Sequence, residues 1–199
     1  MEPCGRYQQA CDLPCLKAHV RHDGADHGRR PIHYKQTSRS YGGEDIKAAF
    51  LFSCFCGLRI SDVKSLKWKN IIIEGDKTRV EILQYKTKQP LYLPLNKQAL
   101  RWMPERGSAS DEDKVFPTLP SKNYDCIPEW SRAAGISKHV TYHVSRHTFA
   151  TMELTMGADL YTTSKLLGHT EVRTTQIYAK IINKKKDEAV SLLDSAFEE

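Results

Sequence analysis

The run AAFLFSCFCGL at residues 48–58 constrains this chain more than any other stretch. It is apolar at nearly every position, so a helix built from it has no wet face and must be buried. It is also shorter than the ~20 residues a membrane-spanning helix needs. The segment EDIKAAFLFSCFCGL therefore predicts a buried helix with Gly57 as its C-terminal stop. With 40% hydrophobic residues and a mean hydropathy of −0.55, the chain has material for an ordinary core and reads as a soluble protein. The start, MEPCGRYQQACDLPC, lacks the apolar stretch of a signal peptide, and a cytoplasmic location with no membrane partner is the expectation.

Beyond Gly57 the elements follow from turn and cap signals. SDVKSLKW offers Ser61 as an N-cap with Asp62 in the first turn. Residues 71–95, IIIEGDKTRVEILQYKTKQPLYLPL, predict three short strands with turns at EGDK and KTKQ, and Pro94 suits an edge strand. NKQALRWM is a short helix before Pro104, with a charged loop running on to Lys114. NYDCIPEWSRAAGI predicts a helix from about Pro128 to Gly135, and YHVSRHTFATMELTMG a longer one closed by Gly157. In the latter, Phe149, Met152 and Met156 are expected in the core. DLYTTSKLLG has Asp159 as cap and Gly168 as stop, followed by a helix carrying Tyr178. The whole predicts an α+β domain from about residue 44: mostly helical, with one small three-stranded antiparallel sheet.

Residues 1–43 differ in character. Cys11, Cys15, His19 and His22 are acceptable zinc ligands, but CDLPCLKAHVRH lacks the ~12-residue insert that lets such pairs wrap one ion around a core. The expectation is no metal and a disordered or foreign segment, with the cysteines of the chain as free thiols. At the other end, AVSLLDSAFEE follows a charged NKKKDE linker and predicts an amphipathic tail helix over about 187–197. It would pack either on its own domain or on a neighbour.

The chemistry-bearing residues stand at the joints between these elements. Arg59 follows the buried helix, and arginine binds phosphate bidentately while keeping its charge. His143 and Arg146 lie three apart on one helical face, near an N-terminus whose free N–H groups favour an anion. His147 reads as a packing or hydrogen-bonding histidine. His169 lies just past a helix stop, nine residues before Tyr178, and Lys86 sits in the second hairpin turn. Taken singly, Tyr178 is a core aromatic and Lys86 a solvated charge. Taken together, they match one reaction: attack of a tyrosine oxygen on a DNA phosphodiester, with cations on the non-bridging oxygens, a proton acceptor for the phenol and a donor for the leaving 5′-hydroxyl. The net charge of +6 is compatible with such a polyanion. The absence of an HExxH motif, and a reaction that needs no carboxylate cluster, argue against a metal-dependent nuclease.

GLRISD, the hairpin lysine, HVSRH and LLGH followed by the tyrosine occur in an order and spacing that resemble the catalytic domain of the tyrosine recombinases, the phage integrase family. Within it, the likeness is greatest to integrases of Bacteroides-type mobile elements, and it covers roughly residues 44–199. One departure is Cys56, where the family often has threonine. The resemblance implies that Tyr178 forms a 3′-phosphotyrosyl link, Arg59 and Arg146 clamp the phosphate, and Lys86 protonates the 5′-oxygen. It further implies that His143 assists proton transfer from Tyr178 and His169 holds a non-bridging oxygen, without metal, ATP or any other cofactor. Lys88, Lys165 and Arg173 are expected as further DNA contacts.

The implied partners are double-stranded DNA and copies of the same chain: a tetramer on DNA, weakly associated or monomeric without it. The resemblance also implies an N-terminal core-binding domain for which this chain has no room, so weak, salt-sensitive DNA binding is expected. Two other readings stay open: relaxation of DNA in the manner of a type IB topoisomerase, and a catalytically weak DNA-binding fragment.

Overall fold

A computed structural model describes residues 43–122 and 124–178. The tail helix expected over 187–197 and the cysteines and histidines of the first 43 residues lie outside the described residues.

The buried helix is present as α1, Gly43–Cys56. Ile46, Ala49, Phe50, Leu51, Phe52, Cys54 and Cys56 are all buried, at positions that go round the helix. Gly57 closes it with φ 73°, its N–H donating to Ser53 O. A side chain at this glycine would run into the ring of Phe149, so both the turn and the packing demand glycine here.

Helix α2, Ile60–Ser65, begins one residue ahead of the expected cap. The N-cap is Arg59, whose side chain makes no capping bond, and Ser61 is already inside the helix. The sheet follows in the order β1–β2–β3: Ile71–Glu74, Lys77–Leu83 and Pro90–Leu95, antiparallel throughout. Strand β3 is an edge, which accommodates both Pro90 and Pro94. Its alternation puts Leu91, Leu93 and Leu95 into the core and leaves Tyr92 outside.

Helix α3, Lys97–Trp102, is capped by the Asn96 side chain, which accepts from Ala99 N. Helix α4, Cys126–Ala133, starts earlier than Pro128, which instead occupies its first turn, where a missing N–H costs nothing. Helices α5, Tyr142–Met156, and α6, Leu160–Leu166, end at Gly157 and Gly168, both with positive φ. Asp159 caps α6 by accepting from Thr162 N at 2.9 Å. Val172–Tyr178, expected as an α-helix, is a 3-10 helix.

Two buried clusters result. The larger surrounds α1, where Phe50 meets Trp130 and Tyr142 edge to face and Phe52 packs on Phe116. The Tyr142 hydroxyl donates to Ala49 O at 2.8 Å and lies 2.9 Å from Ser53 Oγ, pinning α5 to α1 across this core. The smaller holds Phe149, Ala150, Leu154, Leu167 and Tyr178. Met156 was expected in the core and is 85% exposed, because it is the last residue of α5 and projects past the packed surface. Cys54, Cys56 and Cys126 remain thiols. None of the described helices is long and apolar enough to cross a membrane.

Candidate active site

Arg146 is the structural centre of the site. Its guanidinium is buried, donating from Nη1 to Gly57 O at 2.7 Å and from Nη2 to Leu167 O at 2.6 Å. One side chain on α5 thus ties the end of α1 to the end of α6. Burial and the nearby Arg59 cation lower its pKa to about 9, which still leaves it charged at neutral pH. It is the fifth residue of α5, one beyond the first turn in which it was expected. Two carbonyl oxygens satisfy part of its fork, and the neighbouring cation supplies no compensation, so the site favours an anion.

Arg59 is half-buried at the mouth of α2, with Nη1 donating to the side-chain oxygen of Gln84 at 2.9 Å. Asp62, buried one turn further along α2, accepts from Tyr85 N through Oδ1 at 2.8 Å. That bond fastens the β2–β3 loop, and with it Lys86, to the arginine's own helix. Lys86 is exposed.

His143 is the second residue of α5 and exposed. Its pKa is lowered, first by loss of solvent on the side of the ring that meets His147 and then by the charges of Arg146, Arg59 and Lys86. His169 follows Gly168 and is half-buried, with Nδ1 2.8 Å from Thr175 Oγ1. Burial, then Arg146 and Arg59, bring its pKa down to about 4, so the ring is neutral at physiological pH.

The ring of Tyr178 belongs to the smaller core and is only 3% exposed, whereas its hydroxyl reaches His147 Nδ1 at 2.5 Å. Tyr178 is therefore both a core aromatic and a group whose polar tip meets α5 one residue from Arg146. The histidine in contact with the phenol is His147, read from sequence as a packing or hydrogen-bonding residue, and the bond it makes is to Tyr178. His143 stacks edge-on against it, with ring centroids 4.5 Å apart. Burial first, then His143 and Arg146, hold the His147 pKa at about 4, so this ring too is neutral.

Arg59, Lys86, His143, Arg146, His169 and Tyr178 thus share one electrostatic cluster. Lys88, Lys165 and Arg173 are exposed on the periphery. Lys88 lies over the Tyr85 ring at 4.7 Å and Lys165 over Tyr161 at 5.0 Å. Sequence reasoning also missed Gln84, whose side chain is fully buried among the motifs.

The model of the phage integrase family matches residues 33–185, starting ahead of the boundary read at Glu44. The chain is 34% identical to tyrosine recombinase XerD of Proteus mirabilis over 141 residues, covering 63% of this chain and 44% of that protein. It is 28% identical to tyrosine recombinase XerC of Chlamydia caviae over 177 residues, covering 78% and 56%. It therefore spans about half the length of the curated relatives it matches. Among solved structures, XerH site-specific recombinase bound to palindromic difH substrate superposes with a TM-score of 0.59 at 20% identity, over 80% of this chain and 48% of that one. The catalytic domain of bacteriophage HP1 integrase gives 0.52 at 20% identity, over 74% and 81%. Those likenesses establish the same mostly helical fold with its small antiparallel sheet. On the extent of the family match, and with the motif residues gathered at one site, this chain belongs to the phage integrase family.

Proposed function

We propose that this chain is the catalytic part of a site-specific DNA recombinase that cuts and rejoins duplex DNA through a 3′-phosphotyrosyl intermediate on Tyr178. The observation that carries the reading is the Tyr178 hydroxyl, hydrogen-bonded to a neutral histidine beside a buried, charged arginine. The phenolic oxygen attacks phosphorus while its proton passes to His147 Nδ1, and His143, stacked on that ring, assists the transfer. Arg59 and Arg146 take the charge that builds on the non-bridging oxygens, and His169 hydrogen-bonds one of them. The bond from phosphorus to the 5′-oxygen breaks, and Lys86 supplies the proton that completes the 5′-hydroxyl. Attack by a 5′-hydroxyl of a second duplex reverses each step and joins the strands. The phosphotyrosyl link conserves the bond energy, so neither metal nor ATP is called for.

Lys88, Lys165 and Arg173 neutralise flanking phosphates in this reading. Copies of the chain assemble as a tetramer on DNA and associate weakly without it, and the biological setting is a mobile element. The relatives named as tyrosine recombinases, and the neighbour solved on its difH substrate, support the DNA partner. A strand-exchange assay tests the proposal: two labelled duplexes of different length, carrying the sequence the protein selects from a randomised pool, should yield recombinant lengths. Relaxation of a supercoiled plasmid without such products would favour topoisomerase-like chemistry instead.

A further inference from the structure

Gln84 lies outside the motifs that define the site, yet its side chain is completely buried between three of them. It is the first residue after β2, and its backbone closes the lysine loop. Gln84 N–H donates to Gln89 O at 2.9 Å, and Gln84 O accepts from Lys88 N at 2.9 Å. The side-chain nitrogen donates to Thr87 Oγ1 at 2.6 Å and to Gly168 O at 3.0 Å, while the oxygen accepts from Arg59 Nη1 at 2.9 Å. The network fixes this orientation, since the reverse amide would face oxygen with oxygen and guanidinium with NH2. Both N–H bonds and the carbonyl are satisfied, as a buried primary amide requires. Gly168 packs so closely on this amide that any Cβ there would collide with it.

We infer that Gln84 is a positioning residue for the reaction, holding the Arg59 guanidinium, the loop that carries Lys86 and the Gly168–His169 turn at fixed separations. The inference rests on the function proposed above. A methionine keeps the volume but none of the hydrogen bonds. A glutamate keeps an acceptor for Arg59 but turns an oxygen toward Gly168 O, so it cannot hold the turn. Displacement of a reacting group by about 1 Å can slow a reaction about 100-fold. Because the Thr87 bond steadies the loop on which Lys86 rides, the loss should fall heavily on protonation of the leaving oxygen.

The test is single-turnover cleavage by the full chain on nicked duplexes of the pool-selected sequence. Each is made with either oxygen or sulfur at the bridging 5′ position. Tyr178 attacks phosphorus in both, but the sulfur departs as a thiolate with the electron pair of the broken P–S bond and needs no proton. On the oxygen substrate we expect Gln84→Met to be about 100-fold slower than the unsubstituted protein, Gln84→Glu to be slowed as well, and Lys86→Ala to be slowed severely. On the sulfur substrate Gln84→Met and Lys86→Ala should both recover at least tenfold of their loss. Equal loss on both substrates would overturn a role in placing the lysine, and an unimpaired Gln84→Met would overturn the inference altogether. If Gln84→Met does not fold, the same comparison is made with Gln84→Glu. An unsubstituted protein that forms no tyrosine-linked product would instead sink the proposed function.

Discussion

His147 Nδ1 stands 2.5 Å from the hydroxyl oxygen of Tyr178, and the two rings meet edge to face with centroids 5.8 Å apart. The contact joins α5 to the 3-10 segment Val172–Tyr178, so the tyrosine is held in place by its buried ring and by its polar tip at once. Because His147 is neutral, one ring nitrogen carries a lone pair, and in the Nε2–H tautomer that nitrogen is Nδ1, placed to accept the phenolic proton.

That neutrality sets a pH dependence. His147 and His169 have folded-state pKa values near 4, below the ordinary histidine value of about 6.5. Between those limits the unfolded chain binds more protons than the folded one, so stability rises with pH through the window. The melting temperature should be level above about pH 6.5 and fall as the pH drops toward 4. The fall should be shallower in His147→Gln, and a melting temperature independent of pH would contradict the neutral, half-buried rings.

Arg146 and Arg59 should separate stability from activity. Arg146→Lys cannot span Gly57 O and Leu167 O together, and a buried charge-assisted bond is worth about 1.5–3 kcal/mol. Urea unfolding should show a loss of about 3 kcal/mol for Arg146→Lys, and about 1 kcal/mol or less for the half-buried Arg59→Lys. Both variants should cleave poorly, since each removes a phosphate fork. Equal stability of the two proteins would contradict the bracing role of Arg146.

Gly57→Ala puts a methyl group into the Phe149 ring from a backbone at φ 73°. The left-handed conformation costs an L-residue about 1–2 kcal/mol and overpacking adds about as much again. A denaturant midpoint unchanged from the parent would show that the α1–α5 packing is looser than described.

Peripheral cations should act on affinity and not on chemistry. Alanine at Lys88, Lys165 or Arg173 should lower the slope of log K against log salt by about one each if each neutralises one phosphate. The rate within the bound complex should stay near that of the parent. A variant whose slope is unchanged removes that residue from the DNA interface.

Much of this was legible because the governing chemistry is local. An apolar run with no wet face could only be buried, and the turns at EGDK and KTKQ divided 71–95 into three short strands. Gly57, Gly157 and Gly168 announced left-handed stops that are all present. The motif residues were recognisable as a set because their chemistries fit one reaction and their order and spacing resemble one family, although His143 and Arg146 lie within α5 and not at its end. What escaped depends on contacts between distant segments. His143 and His147 are one helical turn apart, and which of them meets Tyr178 is decided by how the 3-10 segment docks on α5. Gln84 looks like a polar strand end until Gly168 and Arg59 close over it from elsewhere in the chain. Met156 keeps the helical spacing of a core residue, but α5 outruns its partners there and leaves it in solvent. The cap of α2 was misplaced because Ser61 has the right chemistry, while the helix begins where Arg59 is held.

The most direct measurement is covalent capture. A nicked duplex of the pool-selected sequence, which loses a short 5′-hydroxyl fragment after cleavage and so cannot be resealed, is incubated with the protein and resolved by denaturing electrophoresis. The account predicts a protein–DNA adduct, attached at a 3′-phosphate, that is absent from Tyr178→Phe while that variant still binds the duplex. No adduct from the unsubstituted protein, or one that persists in Tyr178→Phe, would contradict it.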